Sequence, residues 1–110
     1  MQEQRQHQRH LISWRVAIFA NLSNTPVPGK TQEVSLGGAG IFQPLNLAPG
    51  MSCKLLFEIP SSDYKSRSYL EAEATVIYSS LVGGTTEYRT GFKFKQAPPQ
   101  LQDILNSLNH

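Results

Sequence analysis

The stretch Leu70-Glu71-Ala72-Glu73-Ala74-Thr75-Val76-Ile77-Tyr78 decides the fold. Leu70, Ala72, Ala74, Val76 and Tyr78 alternate with Glu71, Glu73 and Thr75. A period of two belongs to a strand with one buried face and one solvated face. Working outward, Gly83-Gly84 marks a hairpin turn. Beyond it Tyr88, Phe92 and Phe94 alternate with Arg89, Lys93 and Lys95 in a final strand. Upstream, Leu55, Phe57 and Ile59 alternate before Pro60, and Ser61–Ser68 reads as a polar loop. Near the start, Trp14, Val16, Ile18 and Leu22 share one face, with Ser13, Arg15 and Asn21 as polar neighbours. Asn24–Gly29 breaks the chain as a loop, and a strand is expected over Lys30–Leu36. Gly37–Gly40 reads as a bend, Ile41-Phe42 as a short strand and Asn46–Gly50 as a turn.

After Pro98-Pro99 the period changes. Leu101, Ile104, Leu105 and Leu108 fall on one face of a helix, which Pro99 can open because its missing N–H costs little in the first turn. About six strands with short turns and one closing helix predict an all-β fold. The expected form is a six-stranded antiparallel β-barrel with a C-terminal α-helix, whose closure removes exposed sheet edges. The expected organisation is a single domain over 1–110. Residues 1–10 form a flexible segment, 11–96 the barrel and 98–109 the helix. The first ten residues are rich in glutamine and hold no aliphatic residue after Met1, so their composition gives them little to pack.

Composition excludes several classes. The chain has 110 residues, enough to bury a core without disulfides or a metal. Its single cysteine, Cys53, lies in a strand-like run, cannot form an internal disulfide, and reads as a small core residue. There is no 18-residue apolar run and no apolar stretch behind the polar N-terminus. No membrane span is expected, and the expected location is the cytoplasm. Net charge is only +2, but Arg5, Arg9 and Arg15 gather at one end, a pattern that reads either as a solvated tail or as an anion site.

Two short patterns carry the chemistry. Arg5-Gln6-His7-Gln8-Arg9 is an RxxxR spacing in the flexible segment, and Glu33-Val34-Ser35-Leu36-Gly37-Gly38 ends a strand. In this order, ahead of a barrel, they resemble the PilZ family. That family shows RxxxR before its first strand and (D/N)xSxxG at a later strand end. Ser35-Leu36-Gly37-Gly38-Ala39 and Gly91-Phe92-Lys93-Phe94 are also similar to stretches of that family. The resemblance implies a receptor or adaptor domain for cyclic di-GMP in bacterial second-messenger signalling. It implies no catalysis, no cofactor beyond that ligand, and a downstream effector protein as partner.

By that resemblance the ligand-binding residues are Arg5, Arg9, Glu33, Ser35 and Gly38. Guanidinium is planar and always charged, and forks onto phosphate oxygens or onto guanine O6 and N7. Ser35 can donate its hydroxyl, Gly38 lets backbone approach closely, and Glu33 would accept from a guanine edge. Glu33 departs from the Asp or Asn of the pattern by one methylene. Gln4 stands where many members carry a further arginine.

Other readings are weaker. A hydrolase built from Ser35, His7 or His10 and Glu33 lacks a fixed base, because the histidines lie in the flexible segment. His7, His10 and His110 lack metal-ligand spacing. Two alternatives remain: a degenerate PilZ domain that works through protein contacts, and a barrel that stacks single-stranded nucleic acid on Tyr88, Phe92 and Phe94 beside Lys93. Those aromatics share the apolar face of a strand, so no DNA or RNA is expected.

Overall fold

The computed structural model describes residues 8–21, 23–61 and 65–108. Six strands form there: β1 (Arg15–Ala20), β2 (Val27–Val34), β3 (Gly38–Gln43), β4 (Ser52–Pro60), β5 (Arg67–Leu81) and β6 (Tyr88–Phe94). One helix, α1 (Leu101–Ser107), follows. The strands close into a barrel in the order β1-β2-β3-β6-β5-β4, and every pairing is antiparallel. This is the expected six-stranded barrel with its C-terminal helix.

Alternation is the reason these segments pair. Leu70, Ala72, Ala74 and Val76 are buried, while Glu71 and Glu73 face water. Trp14, Val16, Ile18, Leu55, Phe57, Ile59, Phe92 and Phe94 complete most of the core. Phe57 sits at its centre with edge-to-face contacts to Trp14 and Phe94, ring centroids 6.1 Å away in each case. The buried polar side chains are all satisfied among the described residues. Thr31 Oγ1 accepts from the Trp14 N–H at 2.8 Å, and Gln43 Nε2 donates to Thr90 Oγ1 at 2.9 Å.

Several boundaries differ from expectation for identifiable reasons. β2 starts at Val27, inside the expected loop, because Ala17 pairs with Pro28 and Ile18 with Val27. Pairing to β3 begins only at Lys30, so Pro28 lies where β2 has one neighbour, a place that tolerates its missing N–H. The expected bend at Gly37–Gly40 is shorter: Gly38 and Gly40 already belong to β3. Leu22 lies outside the described residues. In α1 only Leu101 and Leu105 are fully buried, and Leu108 caps the helix with its side chain half exposed.

The largest departure concerns Tyr78, expected on the inner face with Val76. A β-bulge lies between them: Val76 pairs with Phe92, but Tyr78 pairs with Gly91. The extra residue, Ile77, is exposed, and Tyr78 turns to the outside of the barrel. A second bulge lies in β2 between Thr31, which pairs with Ile41, and Glu33, which pairs with Gly40. It carries Gln32 and Glu33 outward together between the buried Thr31 and Val34.

Candidate functional site

The two bulges face each other across β3 and β6. Between them the outer faces of these strands pair Gly38 with Lys93, Gly40 with Gly91 and Phe42 with Arg89. None of the three glycines carries a side chain of its own there, the Tyr78 ring and the Arg89 and Glu33 side chains close over Gly91 and Gly40, and a groove of about 310 Å³ opens along the strands. Arg9, Glu33, Ser35, Gly38, Tyr78 and Arg89 are among its lining residues. That volume is at the small end of the range for ligand sites.

Each glycine has a steric reason. A Cβ on Gly38 would meet the Phe92 carbonyl oxygen at 2.0 Å, so β3 and β6 could not approach as they do. A Cβ on Gly91 would meet the Tyr78 ring at 2.3 Å, which makes Gly91 the seat on which that ring lies. The turn leading into β3 is organised by Ser35. Its hydroxyl accepts from the Gly37 N–H at 3.1 Å, and its own N–H donates to the Gly38 carbonyl at 2.9 Å.

The N-terminal segment reaches the groove through His10. Its N–H donates to the Val34 carbonyl and its carbonyl accepts from the Val34 N–H, both at 2.9 Å. This bridge brings Arg9 beside Glu33, with Nη1 3.3 Å from Oε2. The same carboxylate oxygen is 3.6 Å from Arg89 Nη2. Arg89 also donates from Nε to Gln32 Oε1 and from Nη1 to the Tyr78 hydroxyl. Its guanidinium carbon stands 5.6 Å from the Tyr78 ring centroid.

Of the five residues named from the sequence, Arg9, Glu33, Ser35 and Gly38 line this one groove. Arg5 lies outside the described residues. Arg89 and Tyr78 were missed. The triplet Val76-Ile77-Tyr78, three apolar residues in a row within an alternating strand, was the available sign that Tyr78 leaves the core face. Phe92 and Phe94 are buried in the core and Tyr88 is half-buried, so the two phenylalanines of the last strand are not free to stack on bases. Among the described residues no three His, Cys, Asp or Glu side chains gather as metal ligands, and no helix is long and apolar enough to cross a membrane.

Solved structures share the fold. The Bacillus subtilis inhibitor of motility, MotI/DgrA, superposes with a TM-score of 0.77 at 18% identity, over 97% of this chain and 53% of that one. The chain thus spans about half the length of that protein. The PilZ domain of YcgR from Escherichia coli, solved with c-di-GMP, superposes with a TM-score of 0.68 at 23% identity, over 96% of this chain and 92% of that one. Among curated proteins none matches the sequence. The sequence model of the PilZ domain family itself runs through residues 3–109, and the chain belongs to that family.

Proposed function

We propose that this domain is a receptor for cyclic di-GMP, a binding module rather than an enzyme, and that it hands its signal to a partner protein. The observation that carries this reading is convergence. Arg9 comes from the N-terminal segment, and Glu33, Ser35 and Gly38 come from the strand end and the turn that follows it. All four line one polar groove. A guanidinium supplies charge-assisted donors for phosphate, and a carboxylate supplies acceptors for the N–H groups of a guanine edge. Gly38 has no side chain to hold a flat base off the strand. The Escherichia coli relative, solved with c-di-GMP on the same fold, supports the choice of ligand.

The test is calorimetric titration of cyclic di-GMP into the wild type, Arg5→Ala and Arg9→Ala. A charge-assisted bond is worth about 1.5–3 kcal/mol, so either variant is predicted to bind at least about tenfold more weakly. Wild-type affinity in the double variant would rule the site out. One observation favours a second reading, a domain that works through protein contacts alone: Glu33 already pairs with both Arg9 and Arg89. The same titration discriminates, since that domain would give no binding heat.

A further inference from the structure

Neither sequence pattern supplies Arg89, yet the fold holds its guanidinium more firmly than that of Arg9. Nε and Nη1 donate hydrogen bonds to Gln32 and Tyr78, and Nη2 is ion-paired with Glu33 at 3.6 Å. Gln32 and Glu33 come from one bulge and Tyr78 from the other, so the two irregularities converge on a single side chain. Gly40 makes the room: a Cβ there would lie 3.3 Å from Arg89 Nη2 and 3.3 Å from Glu33 Cγ. The side chain is 30% exposed, within reach of a ligand and still oriented.

Charge points the same way. Among the described residues lining the groove, Arg9, Arg89 and Lys93 are cationic and Glu33 is the one carboxylate. A carboxylate bridging two guanidiniums stands where a phosphate oxygen would stand, because guanidinium holds both groups with the same fork. We propose that Arg89 is a ligand-binding residue, that Glu33 is the counter-ion the chain itself supplies to it, and that a phosphate of the ligand replaces Glu33 on Nη2. The released carboxylate then turns to the guanine N–H groups. Arg89 exchanges one anion for another, and the added phosphate charge is met by the excess of cations, Arg9, Arg89 and Lys93 against Glu33. The inference rests on the dinucleotide reading above.

The experiment is titration of cyclic di-GMP into the full chain by calorimetry, with a thermal melt to check that each variant folds. Arg89→Ala is expected to weaken binding at least about tenfold. Arg89→Lys is expected to recover part of the loss, because lysine keeps the charge without the fork. A residue that acted only by holding Glu33 would become irrelevant once Glu33 is gone. Arg89→Ala is therefore made in the Glu33→Ala background as well, where it is expected to weaken binding further. Unchanged affinity in that background, or in Arg89→Ala itself, would overturn the inference. If Arg9→Ala still weakened binding, the receptor reading would stand without it. If no protein in the series bound, wild type included, both would fall.

Discussion

Cys53 shows how burial sets the chemistry of one side chain. It is buried on β4 next to the turn that carries Asn21. Burial pushes its thiol pKa up, against a smaller opposing effect of the Asn21 backbone hydrogen bond. A raised thiol pKa means that the folded state holds its proton more tightly than the unfolded chain does. The resulting stabilisation is complete below the ordinary thiol value, near 8.5, and fades as pH rises through the folded value. Urea midpoints of wild type and Cys53→Ala are predicted to differ by a constant amount up to about pH 8 and to draw together above it. A gap that stays constant to high pH would show that the thiolate is not penalised by the fold. At the same scale, the ion pairs of Glu33 with Arg9 and Arg89 are partly exposed. Pairs of this kind contribute little to stability, about 0–1 kcal/mol, so their weight lies in where they place the guanidiniums.

Among the elements, the contact of β3 with β6 requires glycine at position 38. Gly38 faces the Phe92 carbonyl oxygen, and the clash a methyl group would create is with backbone rather than with a movable side chain. Gly38→Ala is predicted to lower unfolding free energy by about 1–3 kcal/mol, read as a lower urea midpoint. A shift under about 0.5 kcal/mol would mean that the two strands do not approach as described. The Gly38 requirement also shows what could be read from residue types. The patterns around Leu70–Val76, Leu55–Ile59 and Phe92–Phe94 gave away their strands because each buried face repeats every second residue. The groove was legible only in part. Glu33, Ser35 and Gly38 form one local pattern, but Arg89 joins them solely through the pairing of β6 with β3 and the bulge at Gln32-Glu33. Register across distant strands is a property of the closed barrel, and an extra residue in one strand leaves no period of its own. Tyr78 was misplaced for the same cause, and the role of Gly91 beneath its ring could not be seen until that ring's position was known.

For the whole molecule, closure of the barrel positions the groove. β1 pairs with β4 to shut the barrel, Leu101 and Leu105 of α1 are buried with the hydrophobic core, and β3 and β6 form the outer wall that carries the groove. Function belongs on such a wall because a site is only as well positioned as the strands that hold it. His10 ties the N-terminal segment to β2 through Val34, so a ligand contact at Arg9 would act directly on β2. The central claim is that cyclic di-GMP binds over the glycines of β3 and β6, between the two bulges. The most direct test is a two-dimensional amide NMR titration of the full chain with cyclic di-GMP. Saturable shifts are predicted at Arg9, at Glu33 to Gly40, at Ile77 and Tyr78, and at Arg89 to Lys93, with the opposite face around Ala17, Leu56 and Tyr69 unmoved. Shifts centred on that opposite face, or none at saturating ligand, would contradict the claim.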